Sequence, residues 1–222
     1  VVSFENDGLY QVSLTTENAN SISSIEKNDF YNVISEDLLS EEIELSEDFS
    51  ALNFPPENWE VLNIGQNSSW KDTSIFTQEG LQNRVAYFKN NLNGNFDKLI
   101  TQPIYLDNEL SNPYLSFDVS YSSISDSFED ALLVEVSQDC GSTFTDTIYF
   151  KSGKFLSTDL QNNSTNSNHH TFRNESVSLK EFLGKRINIS FLSNSDGGNN
   201  IYVDNVNLTN RSTEDFNPLV FE

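Results

Sequence analysis

The segment 197–208, GGNNIYVDNVNL, carries an acid inside a run that otherwise reads as a β-strand. Alternation along a strand would place Ile201 and Val203 on one face, and Asp204 and Val206 on the other. Two arrangements fit this pattern: either a bulge shifts the register near Asp204, or Asp204 shares the buried face of Val206. A buried carboxylate needs a compensating partner, because removing a charge from water is costly.

Two kinds of partner would compensate Asp204. A Ca²⁺ ion takes several oxygen ligands from carboxylates and carbonyl groups, so it would accept this side chain. Loop amides at the edge of a sandwich would instead donate hydrogen bonds to the carboxylate. The residues around Asp204 are consistent with both alternatives.

Cys140, His169 and His170 belong to residue types that serve in nucleophilic and metal chemistry. Cys140 lies in SQDCGSTF, which predicts a hairpin apex, and we interpret it as a small, partly buried turn residue. A catalytic thiol needs a nearby base, but both histidines lie in the polar stretch 157–170, which is predicted to be an exposed loop. Adjacent histidines in a loop do not by themselves complete a tetrahedral metal site.

Motifs of common enzyme classes are missing from the sequence. It contains no HExxH, Gly-rich phosphate loop, GxSxG elbow or CxxC pair. No spacing among the acids supports a pair of glycosidase carboxylates. The chain is therefore predicted to be noncatalytic.

Trp70, flanked by NSS and KDT, is the candidate for stacking on a sugar ligand. The alternative is that Trp70 is a loop aromatic that covers the edge of a sheet.

The composition excludes several classes of partner. The 222 residues include 12 basic and 34 acidic ones, for a net charge of −22. This charge disfavours nucleic acid and anionic membranes, which need Lys and Arg contacts. A single cysteine rules out an internal disulfide, and no apolar run is long enough to span a bilayer. The absence of methionine predicts that the chain is a piece of a longer precursor.

The elements that must position these residues are short strands. Apolar residues alternate with polar ones in many short runs separated by Asn- and Gly-containing turns, most regularly in Leu115-Phe117-Val119-Tyr121 and Ile187-Ile189-Phe191. This pattern is typical of half-buried strands and predicts a two-sheet antiparallel β-sandwich. The candidate strands are residues 9–15, 29–35, 58–64, 84–88, 98–106, 114–121, 130–137, 145–151, 186–192 and 200–208. The spacing of Leu38, Leu39 and Ile43 allows a short helix, and one helical turn is predicted at 178–184 with Gly184 as its stop.

Several motifs occur in the order found in a known group of modules. DALLVEVSQDCGSTF (130–144), SLKEFLGKRINISFLS (178–193) and GGNNIYVDNVNL resemble a jelly-roll module of secreted Bacteroidetes proteins. That group includes the cleaved-adhesin domains of gingipains and the choice-of-anchor J modules that accompany type IX secretion. The resemblance covers roughly 45–209, and the implied jelly roll is also similar to MAM and galactose-binding-like domains.

The resemblance favours calcium at Asp204. In the family, an acidic segment of the form Glu-x-Phe-Glu lies beside the final strand; here EDFS (47–50) keeps Glu47 but has Ser50 at the second acidic position. Asp48 and Asp97 are the candidates to replace the missing acid. The resemblance therefore implies a structural Ca²⁺ site. Its predicted ligands are Glu47, Asp48, Asp97 and Asp204. Trp59 matches a core position of the family.

The N-terminal segment resembles a different module. DGLYQVSLTTENANSISSIEKNDFYNVIS looks like the closing half of a PKD domain, an immunoglobulin-like fold. The predicted organisation is a PKD-like part at 1–35, an acidic linker at 36–46, a jelly roll at 47–209 and a tail or linker at 210–222.

These features together predict a noncatalytic, calcium-stabilised adhesion or substrate-binding module. The module would belong to a multidomain bacterial protein that is extracellular or on the cell surface, and it would be monomeric within the longer chain. Its expected partner is a polysaccharide or an extracellular protein. The alternative is an accessory or spacer domain of a secreted, cytophagalysin-type metallopeptidase with no ligand of its own.

Overall fold

The structure is a computed structural model that divides into two compact units, Val1–Ile43 and Glu44–Glu222. It describes residues 8–33, 45–64, 68–77, 80–90, 93–125, 127–158 and 169–210. The helix considered around Leu38, Leu39 and Ile43, most of the polar stretch 157–170 and the segment 211–222 lie outside the described residues.

The first unit contains an antiparallel hairpin of β1 (Gly8–Asn18) and β2 (Ser21–Val33). The sequence predicted a long connection between two shorter strands, and this was wrong. The Oδ1 atom of Asn18 accepts hydrogen bonds from the backbone N–H groups of Asn20 and Ser21, both at 2.9 Å. Because this side chain closes a tight turn, the Ser- and Thr-rich residues on either side continue the strands.

In its described residues, the second unit contains thirteen strands, an α-helical turn and a 3₁₀ turn. The strands are β3 (Ser46–Glu47), β4 (Glu60–Leu62), β5 (Lys71–Thr77), β6 (Gln82–Phe88), β7 (Phe96–Ile100), β8 (Ile104–Leu106), β9 (Pro113–Ser120), β10 (Ala131–Ser137), β11 (Asp146–Ser152), β12 (His169–His170), β13 (Arg173–Ser178), β14 (Lys185–Asn194) and β15 (Ile201–Asn210). The helix is α1 (Gly153–Leu156), and the 3₁₀ turn is Lys180–Phe182.

The strands form two sheets. The six-stranded sheet has the order β11-β10-β14-β7-β4, with β8 also paired to β14. The seven-stranded sheet has the order β12-β5-β6-β15-β9-β13, with β3 also paired to β15. All of these pairs are antiparallel except the short β12–β5 pair. The predicted two-sheet antiparallel sandwich is therefore confirmed.

The core lies between the two sheets. The alternation predicted for β9 and β14 is confirmed, since Leu115, Phe117, Ile189 and Phe191 are all buried. The rings of Phe117 and Phe191 meet edge to face, with centroids 5.3 Å apart. This aromatic contact joins the seven-stranded sheet to the six-stranded sheet.

One predicted strand, 98–106, is interrupted at Thr101. The hydroxyl of Thr101 accepts the N–H of Ile189 at 3.0 Å, and the backbone N–H of Thr101 donates to the carbonyl of Ile189 at 2.8 Å. Pro103, which has no N–H, follows before β8 begins. The chain therefore pairs with β14 in two short strands, β7 and β8, rather than in one.

The sequence did not predict the longer strands β5 and β13, and the histidines predicted to lie in an exposed loop instead form the two-residue strand β12 beside β5. β13 (RNESVS) contains only one apolar residue, Val177, and β5 (KDTSIFT) contains two adjacent ones, of which Phe76 is exposed. By contrast, the helical turn predicted before Gly184 is present as Lys180–Phe182, and Gly184 has a φ of +73°. Within the described residues, no helix is long and apolar enough to cross a membrane.

Candidate functional site

A β-bulge in β15 positions Asp204. Against β9, Asp204 pairs with Asp118 and Asn207 pairs with Ser116, so β15 uses one more residue than its partner over this interval. Asn205 is in the left-handed region, with a φ of +49°. The extra residue lets β15 bury apolar side chains both before and after the bulge. The first of the two arrangements considered for Asp204, the bulge, is confirmed.

Asp204 is buried, with 2% of its surface exposed, although strand alternation puts it on the outer face with Tyr202. Its carboxylate accepts hydrogen bonds from the Nδ2 of Asn83 at 2.6 Å and from the backbone N–H of Asn205 at 2.8 Å. Burial raises the pKa of Asp204 to about 6, and the nearby charges of Asp118 and Asp48 act in the same direction.

Asp118 is the second acid of this cluster. It accepts hydrogen bonds from the Nδ2 of Asn174 at 2.8 Å and from the Nδ2 of Asn205 at 2.9 Å. Sequence reasoning missed both Asp118 and Asn83. In the sequence, Asp118 is the polar member of an alternating strand, and only its register with Asp204 shows its role.

Two of the predicted ligands, Glu47 and Asp48, lie beside the bulge. Glu47 pairs with Val206 through the short strand β3, and burial raises the pKa of its side chain. Its carboxylate accepts the backbone N–H of Phe49 at 2.5 Å. The carboxylate of Asp48 accepts the N–H of Ser50 at 2.9 Å, and hydrogen bonds from Ser50 lower the Asp48 pKa. Each of these acids is thus bonded to its own loop.

Asp97 lies away from this cluster, on β7 of the other sheet. It is fully buried on the core side, and its carboxylate accepts the backbone N–H of Ile64 at 2.7 Å. The structure therefore separates Asp97 from Asp204, with which it was predicted to share an ion.

Trp70 is 2% exposed, and its indole N–H donates to the backbone carbonyl of Asp97 at 3.1 Å. The Trp70 ring packs against Phe88 with a centroid distance of 5.7 Å. Trp70 is therefore a packing residue, as in the alternative to sugar stacking, and its ring is not exposed for a ligand. Trp59 is likewise in the core, as predicted.

The donor set around the bulge consists of oxygen atoms of Asp204, Asp118, Asp48 and Glu47, which is the type that a hard cation such as Ca²⁺ prefers. Within the described residues, however, no group of three or more Asp, Glu, His or Cys side chains converges closely enough to hold a metal ion. The residue types fit calcium, whereas the side-chain orientations are those of an internally hydrogen-bonded acid network.

Asp130 is a second buried acid that sequence reasoning missed. Its carboxylate accepts the hydroxyl of Tyr121 at 2.8 Å and the backbone N–H groups of Asp196 at 2.7 Å and Gly198 at 3.2 Å. Burial raises the pKa of Asp130. The bonds from Asp196 and Gly198 tie the start of β10 to the loop that leads into β15, and the bond from Tyr121 ties it to the end of β9, so this acid has a structural role.

Cys140 and the histidines do not form a catalytic pair in the described residues. Cys140 lies at the predicted hairpin apex between β10 and β11, with a φ of +59°, but it is exposed rather than partly buried. His170 lies on the seven-stranded sheet, where its ring contacts Tyr202 at a centroid distance of 4.3 Å. The thiol and the imidazole are thus on different sheets.

No protein-family model matches the sequence, and no curated protein matches it. Solved structures do match. The K1 cleaved adhesin domain of Lys-gingipain from Porphyromonas gingivalis W83 has a TM-score of 0.57 and 19% identity over 76% of this chain and 99% of its own. The K2 domain of Lys-gingipain has a TM-score of 0.51 and 16% identity, covering 75% and 98%. The K3 domain, from the same organism as K1, has a TM-score of 0.50 and 18% identity, covering 74% and 96%. The chain is therefore similar in fold to cleaved adhesin domains.

Proposed function

We propose that this chain is a noncatalytic binding module that serves in adhesion or substrate targeting outside the cell or at its surface. The observation that carries this proposal is that the buried acids of the described residues are engaged in hydrogen bonds that hold strands and loops together. Burial is the largest cause of the raised pKa values of Asp204 and Asp130, and the carboxylates of both acids are held by hydrogen bonds from neighbouring amide and hydroxyl groups.

Glu175, another acid of the second unit, is also held by neighbouring side chains. Glu175 is paired with Lys151 at 2.6 Å and with Arg173 at 2.7 Å. Burial would raise the pKa of Glu175, but its hydrogen bonds with Lys151 and Arg173 lower it overall. A carboxylate held ionised between two cations is a poor general acid, which supports a structural rather than a catalytic role.

The binding role is supported by the fold, since the K1, K2 and K3 structures carry the name adhesin, and by the motif resemblance described above. The net charge of −22 suits a solvated surface and disfavours polyanionic partners. We take a polysaccharide or an extracellular protein as the partner and a single copy of the module as the working unit. The hairpin β1–β2 is proposed to be part of a PKD-like domain that precedes the module.

We also propose that a Ca²⁺ ion stabilises the bulge in β15. Asp204 is a buried acid whose charge is opposed by its burial and by the charges of Asp118 and Asp48, and a bound cation would relieve both costs. Asp48 would have to turn away from Ser50 to reach the ion, and Glu47 would have to turn away from Phe49. Asp97 has no part in this site.

The binding proposal is tested by probing a glycan array and an array of extracellular proteins with the full 222-residue chain. Specific retention on either array is the expected result. Hydrolysis of an array component that is lost in an Asp130→Asn or Asp204→Asn variant would contradict the noncatalytic assignment. Silence on both arrays would refute the binding role and favour the alternative, a spacer domain of a larger secreted enzyme.

A further inference from the structure

We propose that the outer face of the seven-stranded sheet binds a neutral polysaccharide, with Tyr87 and Tyr202 at one end and a polar groove beside Ser116 and Asn207 at the other. This inference rests on the proposed binding function and adds to it the site and the class of ligand.

The aromatic end consists of Tyr87 on β6 and Tyr202 on β15, which lie directly opposite each other. Their ring centroids are 6.1 Å apart and the ring planes differ by 24°. Both side chains are half-buried, and the Nδ2 of Asn200 donates to the Tyr202 hydroxyl at 3.3 Å. His170 contacts the Tyr202 ring and thereby fixes its position. Aromatic rings with polar tips suit the C–H faces and the hydroxyls of sugar rings.

The polar end is a groove of about 300 Å³ that crosses β3, β15 and β9. Its lining residues are Leu45, Ser46, Ser116, Asn207, Leu208 and Thr209. The hydroxyl of Ser46 donates to Oδ1 of Asn207 at 2.8 Å, and Nδ2 of Asn207 donates to the carbonyl of Asn205 at 2.8 Å. Hydroxyl and amide groups both donate and accept hydrogen bonds, and the lining carries no charged side chain. This is the chemistry that recognises sugar hydroxyls.

The two ends belong to one continuous face. Strand register places Tyr202 opposite Ser120 and Asn207 opposite Ser116, with Asp118 between the two serines. At about 3.3 Å per residue, the six steps along β9 from Ser120 to Tyr114, the partners of Tyr202 and Thr209, span roughly 20 Å. This length, with polar side chains between Tyr202 and Thr209, fits a chain of several sugar units better than a single small molecule.

Charge decides between neutral and acidic polysaccharides. Asp118 lies in the middle of this face, and Asp204 and Asp48 lie close to it. Lys71, opposite Tyr87, is a cation at the aromatic end. Together with Glu47, these carboxylates would remain net negative even with one Ca²⁺ ion bound at the bulge, which disfavours uronic-acid or sulfated chains. The half-buried carboxylate of Asp118 can accept hydrogen bonds from neutral sugars.

The test is affinity electrophoresis of the full chain through gels that contain hydroxyethylcellulose, xylan, β-1,4-galactan or galactomannan, with polygalacturonate as the acidic comparison. Any retarding polysaccharide is then titrated by calorimetry with the variants Tyr87→Ala, Tyr202→Ala and Asn207→Ala. Tyr105→Ala is the matched control, because Tyr105 is a half-buried tyrosine on β8 of the other sheet. Circular dichroism checks that each variant folds, and Tyr202→Phe replaces Tyr202→Ala if the latter does not.

We expect retardation by at least one neutral polysaccharide and none by polygalacturonate, and at least a tenfold loss of affinity for each variant except Tyr105→Ala. Saccharide binding that survives all three substitutions would place the ligand elsewhere, overturning this inference while leaving the binding function intact. Retention of the chain by an extracellular protein without any saccharide binding would also overturn this inference and leave the binding function intact. Silence towards both classes of partner would overturn the inference and the proposed function together.

Discussion

Asp204 of β15 lies directly opposite Asp118 of β9, and Asn205 bridges the two acids. The Nδ2 of Asn205 is 2.9 Å from an oxygen of Asp118 and 3.5 Å from an oxygen of Asp204. Two carboxylates on neighbouring strands repel each other, so this arrangement persists because amide groups donate to both. We therefore expect the stability of the bulge to respond to cations and to protons.

The first prediction concerns calcium. If Ca²⁺ binds the folded chain at the bulge, a concentration of one hundred times Kd stabilises the protein by about 2.7 kcal/mol. The melting temperature of the wild type should therefore rise when Ca²⁺ replaces a chelator, and that of Asp204→Asn should not. Asp97→Asn is a control that should keep the response to Ca²⁺, because Asp97 lies on the other sheet. Identical melting curves of the wild type with Ca²⁺ and with chelator would rule out the site.

The second prediction concerns pH in the presence of a chelator. The pKa of Asp204 is about 6 in the folded chain, whereas an unfolded Asp titrates near about 4. The folded state therefore holds a proton that the unfolded state has released, and the free energy of unfolding falls as pH rises through this window, by at most about 3 kcal/mol.

Urea unfolding at several pH values between about 4 and about 7.5 measures how the free energy of unfolding changes with pH. Asp130 also has a raised pKa and acts in the same direction, so the difference between the wild type and Asp204→Asn isolates the contribution of Asp204. The variant should show a smaller loss of stability as pH rises. Parallel profiles for the two proteins would show that Asp204 is not a buried acid of this kind.

The third prediction concerns the close contact between Gly198 and Asp130. A Cβ atom at Gly198 would collide with the Oδ2 of Asp130, which also accepts the hydroxyl of Tyr121. Gly198→Ala should therefore break part of this network and lower the free energy of unfolding by about 2–3 kcal/mol.

Gly141→Ala is the control for that substitution. Gly141 has a φ of +82° but no atom within 4 Å of an added Cβ, so only backbone strain of about 1 kcal/mol is expected. Equilibrium denaturation of the two variants measures the difference. A Gly198→Ala variant as stable as Gly141→Ala would mean that the Asp130 carboxylate can move aside freely.

The fourth prediction separates the core role of Trp70 from a binding role. Trp70→Ala should cost about 3–5 kcal/mol because it leaves a cavity beside Phe88. Trp70→Phe should cost about 1–2 kcal/mol, since it loses the hydrogen bond to the carbonyl of Asp97. Neither change should alter affinity for a bound polysaccharide while the protein is folded. A Trp70→Phe variant of unchanged stability but reduced affinity would instead assign Trp70 to the ligand.

Much of the fold could be predicted because strand formation depends on local alternation. Leu115 and Phe117 in β9 and Ile189 in β14 were expected in the core, and they are buried. β5 and β13 were missed because apolar residues are few in both strands and do not alternate regularly with polar ones. The strands on either side of the turn at Asn18 were predicted too short, because their Ser- and Thr-rich ends were interpreted as part of the connection between them.

The candidate site was less predictable because its members come from distant parts of the chain. Glu47 and Asp48 were placed near Asp204 correctly, since an acidic segment and the final strand were expected to be neighbours. Asp97 was expected at the same place, but it lies on β7, which belongs to the other sheet. A list of acids in a sequence does not show which of them share a face.

The sequence by itself determined that the chain is all-β, which residues alternate into a core, that Gly184 ends a helical turn, and that Asp204 breaks the pattern of its strand. These features depend on neighbouring residues and on a period of two. Only the tertiary structure decided that Asp204 is buried on the outer face, that Asp118 lies opposite it and that Trp70 is enclosed. Those outcomes depend on strand order and register, because a shift of one residue exchanges the faces of a strand.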